Sequence, residues 1–265
     1  MQKTIFITGA SSGIGKATAK LFSAKGWNVI ATMRKPENET ELNTLDNVTL
    51  LRLDVTNLKQ IKEVAEKVLK NGDVDVVFNN AGYAMMGALE ATTDEQLVHQ
   101  METNFFGVVR VTKAFIPYFR ERKSGLFITT GSSAGLAGFP VGSMYDASKW
   151  AIEGWSESLS FELAQFGIGI KTIEPGLVAT EIGSKSPIAR HPEYEDLLNA
   201  FLSAITYNEQ TSSPEQIAEV VYEAVHDGTK KLRYVCGEDA KTMYAQRLAV
   251  GDEAFRAGIM QMLGM

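Results

Sequence analysis

Three glycines near the N-terminus, Gly9, Gly13 and Gly15, constrain this chain most. They follow a short β-branched and aromatic run, residues 3–8, that reads as a buried strand. A helix pattern comes next over residues 16–25, with Ala17, Leu21 and Phe22 on one side and Gly26 as its C-cap. A glycine turn between a first strand and a first helix lets backbone N–H groups approach a pyrophosphate. The dipole of the helix N-terminus favours the same negative charge. The loop is therefore expected to bind a dinucleotide.

The rest of the chain repeats the rhythm. Strand patterns occupy residues 28–33, 48–55, 74–78, 126–130, 167–173 and 232–236. Helix patterns fall between them, over residues 57–70, from Asp94 to about Arg122, over 147–166, and from Pro214 to about His226. Capping boxes at Thr93/Gln96 and Ser213/Gln216 open the second and fourth of these. Alternation of this kind predicts an α/β chain, a Rossmann-type doubly wound parallel sheet of about seven strands with helices on both faces. No linker or repeat interrupts it, so residues 1–265 are expected to form one domain. Residues 177–211 break the rhythm and read as a lid. Residues 238–265 read as a helical tail.

The end of the second strand bears on the nucleotide. It reads Thr32-Met33-Arg34-Lys35, with no acid to accept from ribose hydroxyls. Arg34 suits a 2′-phosphate, with Ser11 or Ser12 adding hydroxyl contacts, which predicts NADP(H) over NAD(H). Asp54, ending the third strand, is placed to accept from the adenine amino group, with Val55 packing nearby. The small residues of Asn79-Asn80-Ala81-Gly82 lie at the next strand end, on the same edge of the sheet.

Tyr145 and Lys149 stand four apart at the start of a helix pattern, and so on one helix face. An ammonium there favours phenolate and should lower the tyrosine pKa from its ordinary value of about 10. A phenol so tuned can exchange a proton near neutral pH. Ser132 follows the strand over residues 126–130 and can present its hydroxyl to the same point.

Composition narrows the classes. The 265 residues are 45% hydrophobic and 22% charged, with a net charge of −6. No basic tract is present, which argues against a nucleic-acid partner. The single cysteine, Cys236, leaves no internal disulfide, and scattered His99, His191 and His226 give no ligand spacing, so no metal is expected. No run approaches a membrane span, and a strand pattern begins almost at once, so a cytoplasmic protein is expected.

Taken together, these residues resemble the short-chain dehydrogenase/reductase family in its compact branch. The likeness rests on Thr8-Gly9-x-x-x-Gly13-Ile14-Gly15, Asn79-Asn80-Ala81-Gly82, Asn104, Ser132, Tyr145-x-x-x-Lys149 and Pro175-Gly176, in the family's order. The wording around Asn80 and Glu174 is similar to members acting on hydroxysteroids and retinoids. The resemblance implies that Tyr145 is the general acid in reduction and base in oxidation. Lys149 would bond the nicotinamide ribose and tune Tyr145, and Ser132 would hold the substrate oxygen. Asn104 would bind, through a locally opened helix backbone, a water linking Lys149 to solvent. Thr180 would bond the carboxamide, with Pro175, Gly176 and Val178 along the cofactor. By analogy the long helices predict a homodimer or homotetramer.

Two other readings compete. Gly131-x-Ser133-x-Gly135 has the form of a hydrolase nucleophile elbow, with Asp196 and His226 following in order, although no helix directly follows the serine. A non-catalytic NADP(H)-binding protein is the other, against which stand the intact Tyr145 and Lys149. Met85, Met86, Phe139, Met144, Phe201 and Ile182 suggest an apolar pocket. The expected substrate is then an apolar ketone, aldehyde or secondary alcohol.

Overall fold

The computed structural model describes residues 2–180, 186–205 and 211–265. Its strands in chain order are Thr4–Thr8 (β1), Asn28–Met33 (β2), Val48–Arg52 (β3), Val76–Asn79 (β4) and Met86–Gly87 (β5). Gly125–Thr130 (β6), Ile168–Pro175 (β7), Ile188–Ala189 (β8) and Arg233–Cys236 (β9) follow. Seven of them form one parallel sheet in the order β3-β2-β1-β4-β6-β7-β9.

Strand alternation sorts the core into two layers. Ile5 and Ile7 of β1 join a cluster with Phe22, Ile128, Ile173 and Val221, beneath helices Gly13–Ala24 (α1) and, later in the chain, Pro214–His226. Phe6, between them in sequence, points to the other face. There it meets Phe115 with ring centroids 5.0 Å apart, in a cluster under Leu58–Asn71 (α2), Gly107–Arg122 and Ser143–Ala164. Each fully buried aromatic contributes roughly 1.5–3 kcal/mol. Strand order reverses between β1 and β4, which opens a crevice at their carboxyl ends.

Several boundaries differ from the sequence reading, each for a local reason. The helix carrying Tyr145 begins at Ser143, not near residue 147. The third strand stops at Arg52 because Asp54 turns the chain: its Oδ1 accepts from the Thr56 N–H (2.9 Å) and hydroxyl (2.7 Å). The long helix expected from residue 94 is two helices, Asp94–Met101 (α3) and Gly107–Arg122 (α4), joined by a π-helical turn Glu102–Phe106. Asn104 sits in that turn, where a locally opened backbone was expected. Both capping boxes form.

The remaining helices are Ser143–Ala164 (α5), Glu195–Ala204 (α6), Pro214–His226 (α7), Glu238–Val250 (α8) and Asp252–Met262 (α9). Strand β5 pairs in parallel with β8, which ties residues 188–189 to the segment that follows the Asn79–Gly82 turn. No periodicity announced that pair, because two residues are too few to show one. At Gly87 (φ +123°) an added Cβ would meet the Ala189 backbone at 2.0 Å, so only glycine fits there.

Candidate active site

Around the glycine loop the backbone leaves no room. Gly9 and Gly13 adopt φ of +67° and +53°. A Cβ on Gly15 would come within 2.4 Å of Gly9 O and 2.5 Å of Asn80 Nδ2. The Thr8 hydroxyl accepts the N–H groups of Asn80 (2.9 Å) and Ala81 (3.0 Å). Asn80 returns its amide to Thr8 O (3.2 Å) and Gly9 O (3.0 Å), and its Oδ1 accepts from the Thr130 hydroxyl (3.2 Å). Asn80 and Ala81 thus clamp the loop, and Gly82 lies against Asn104. Gly13 lies beside Thr180, whose Cγ2 is 3.1 Å from where a Cβ would stand.

These residues fit a dinucleotide. Ser12 caps α1 without a side-chain bond, and no acid stands in the helix's first turn. Ser11 and Ser12 are exposed, and Ile14 packs inward on the core. The first-turn N–H groups are therefore presented with no acid among the helix's own first residues, as an anion would require. Arg34 is exposed where β2 ends. Partial burial works to raise the Asp54 carboxyl, but the Thr56 hydrogen bonds and the charges of Arg34 and His99 hold it below the ordinary range. Val55 is buried against Gly107.

The second group of residues converges from β6, α5 and the π turn. Ser132 is 8% exposed, and its Oγ accepts the Ala134 N–H at 3.1 Å. Lys149 Nζ donates to Thr130 O at 2.8 Å and lies 5.8 Å from the Tyr145 ring centroid. Asn104 is buried; its Oδ1 accepts the Tyr83 N–H (3.0 Å), while Nδ2 donates to Tyr83 O (2.9 Å) and Ser148 Oγ (3.1 Å). Its side chain is thereby fully engaged, which leaves the opened backbone of the π turn for any solvent contact.

The expected fall of the Tyr145 pKa is not met. Burial pushes the phenol up to about 12, against a Ser132 hydrogen bond and with help from the charges of Asp146 and Glu174. Burial likewise pulls Lys149 down to about 8, opposed by Glu174 and Glu153. Spacing reported the neighbouring cation; it could not report that both groups lie in low dielectric, where neither charged form is favoured.

Asp146, the next residue, was missed. Its Oδ2 accepts the Phe139 N–H at 2.6 Å and ties the loop after Ser132 to α5. Burial pushes its carboxyl up to about 7, opposed by that bond. A raised acid binds its proton more tightly folded than unfolded, so stability falls as pH rises between the ordinary carboxyl value near 4 and about 7. Asp146→Asn should flatten that stretch of a Tm-against-pH curve; an unchanged slope would contradict it.

Pro175 ends β7, and Gly176 donates its N–H to Cys236 O at 3.1 Å. Val178 packs on the core and bridges to Ser212. Asp239 of α8 accepts the Leu177 N–H at 2.6 Å, which fixes the chain after Gly176 to the start of α8. Phe139 and Phe201 approach across the lid with centroids 6.4 Å apart. Ile182 lies outside the described residues. The hydrolase arrangement does not assemble. His226 Nδ1 contacts Tyr222 O at 2.8 Å, and its ring packs on Tyr222 and Trp27 rather than on Ser133.

A doubly wound parallel sheet with a glycine loop and a Ser–Tyr–Lys cluster at its carboxyl edge defines a nucleotide-dependent oxidoreductase class. The short chain dehydrogenase family model matches residues 3–190. This chain belongs to the short-chain dehydrogenase/reductase family. It is 32% identical to retinol dehydrogenase 8 of Bos taurus over 251 residues, covering 87% of this chain and 80% of that protein. A short-chain dehydrogenase from Streptomyces avermitilis superposes with a TM-score of 0.84 at 33% identity, over 98% of this chain and 95% of that one. An alcohol dehydrogenase from Thermococcus sibiricus, complexed with 5-hydroxy-NADP, gives 0.75 at 27% identity over 89% and 97%. Among the described residues no helix is long and apolar enough to cross a membrane.

Proposed function

We propose that the protein interconverts an apolar ketone or aldehyde with its alcohol, using NADP(H), with Tyr145 as proton donor and acceptor. The observation that carries this is the convergence of Ser132, Tyr145 and Lys149 on the sheet edge that also holds a glycine loop, whose helix has no acid in its first turn. The bound nicotinamide supplies or accepts the hydride. Ser132 orients the carbonyl oxygen and stabilises the charge that develops on it. In reduction Tyr145 delivers its proton to that oxygen; a phenol kept protonated by burial suits this direction. Lys149, held by Thr130 O, is the cation beside the phenol and the donor for the ribose hydroxyls. Gly9, Gly13 and Gly15 receive the pyrophosphate, Asp54 and Val55 the adenine, and Pro175, Gly176, Val178 and Thr180 the nicotinamide end. The test is oxidation of NADPH with apolar ketones and aldehydes, which should give turnover; cofactor binding without turnover across the panel would favour the non-catalytic reading.

Arg34 supports the NADP(H) preference, as does the 5-hydroxy-NADP complex of the Thermococcus relative. Glu37, the nearest following acid, is paired with Arg52 at 2.9 Å. Arg34→Ala should lower kcat/KM for NADPH about 10- to 100-fold and leave that for NADH nearly unchanged. Equal losses with both cofactors would sink the assignment. The retinol dehydrogenase relative and the Phe139–Phe201 contact support an apolar substrate. A single domain working as a homodimer or homotetramer completes the reading, supported by a groove between α4 and α5 whose lining includes Val109, Ile116, Trp155 and Leu159 together with Lys113 and Glu162, and by Phe161 of α5, which is 75% exposed.

A further inference from the structure

Behind Ser132 lies a buried acid pair that the reaction above does not use. Glu174, the residue before Pro175, is 0% exposed, and its Oε2 accepts the Ser132 backbone N–H at 2.6 Å. Gly131 is glycine for the same reason: a Cβ there would stand 2.0 Å from that oxygen. Glu153, 6% exposed, lies four residues after Lys149, so Tyr145, Lys149 and Glu153 stack on one face of α5. One Glu153 oxygen accepts Arg233 Nε at 2.5 Å. The other, Oε1, and Glu174 Oε1 are both buried and receive no hydrogen bond from the protein's own donors. The two carboxyl groups meet. Ionised carboxylates only accept, so two such oxygens meet favourably only with a proton between them.

We propose that Glu174 is a positioning residue for Ser132, sharing one proton with Glu153 so that the pair carries a single negative charge behind the reacting groups. As a neutral acid, Glu174 donates its O–H to Glu153 while its other oxygen holds the Ser132 N–H. Arg233 donates its Nε–H to Glu153 and sets a fixed positive charge on that side of the pair. The groups facing the pair agree with this assignment. From α5 come Tyr145 and Lys149, whose ammonium the pair supports against desolvation. From β9 come Arg233 and Cys236, the latter neutral because burial pushes the thiol up to about 12. Glu157 completes the shell through Arg233. Burial, then the charge and hydrogen bond of Glu153, raises the Glu174 carboxyl well above its ordinary range, opposed by the Thr172 hydroxyl and the Ser132 N–H.

The role for Ser132 rests on the reaction proposed above; the shared proton does not, and the experiment separates them. Infrared difference spectra of the whole chain at neutral pH should contain a protonated-carboxyl C=O stretch that shifts in D2O and is missing from E174Q. A spectrum without that band overturns the shared proton. In turnover, E174L should lower kcat about 100-fold, the loss expected when a reacting hydroxyl is misplaced by about an ångström, with cofactor Kd changed less than about twofold. E174Q should recover most of that loss, because its carbonyl accepts the Ser132 N–H and its amide donates to Glu153. E174Q as impaired as E174L overturns positioning by a neutral acid. A wild-type chain that shows the band yet turns over nothing keeps the shared proton and removes the role for Ser132.

Discussion

Tyr145→Phe lowers kcat by about 1,000-fold, the range expected when a positioned acid is lost, while NADPH still binds within about twofold of the wild-type Kd. The ring remains, and with it the packing under Lys149, whose Nζ stands 5.8 Å from the centroid. Only the proton donor goes. The pH dependence carries a sign as well. With the phenol pushed up to about 12, reduction needs the form that prevails at neutral pH, so its rate holds there and falls only in strong alkali. Oxidation needs the deprotonated form, and its rate rises with pH over the same range. Initial rates in both directions and a fluorescence titration with NADPH check both parts. Wild-type turnover in the Phe variant would remove Tyr145 from the chemistry.

Gly15→Ala weakens cofactor binding about 100-fold, an overpacking cost of about 3 kcal/mol. The added methyl would stand 2.4 Å from a backbone oxygen of Gly9 and 2.5 Å from Asn80 Nδ2. Neither can move alone, because Asn80 is bonded to Thr8 O and Gly9 O and fixes the loop to β4. The strain therefore passes to the phosphate-binding turn itself. Gly154→Ala is the control: nothing lies within 4 Å of a Cβ there, and in mid-helix the change should stabilise by up to about 1 kcal/mol. Calorimetric Kd values and Tm for the two variants decide it; a Gly15→Ala chain that binds like wild type would mean that the close approach has no bearing on the cofactor.

Much of this was legible in the sequence because it depends on period and spacing. β-Branched runs alternating with amphipathic helices gave the seven-stranded parallel sheet, and glycines at fixed offsets marked the first turn. Ser132, Tyr145 and Lys149 were found from spacing along one strand end and one helix face. What sequence could not carry was environment. Lys149 beside Tyr145 reads as a cation lowering a phenol, until burial of both groups reverses the sign. Glu174 and Glu153 stand 21 positions apart and meet only because α5 packs over β7. An acid inside a central parallel strand, in Ile173-Glu174-Pro175, was the signal that could have drawn attention to Glu174. Asp146 offered none, since an acid in the first turn of a helix is ordinary.

The central claim is hydride transfer to a carbonyl carbon with Tyr145 supplying the proton. Mass spectrometry of the alcohol formed from an apolar ketone and NADPH carrying deuterium at the transferring position tests it most directly. The account predicts one deuterium on the carbinol carbon, placed on a single face, and the same product formed about 1,000-fold more slowly by Tyr145→Phe. An alcohol without deuterium, product formed with no nicotinamide present, or a Tyr145→Phe chain that forms the labelled alcohol at the wild-type rate would contradict it.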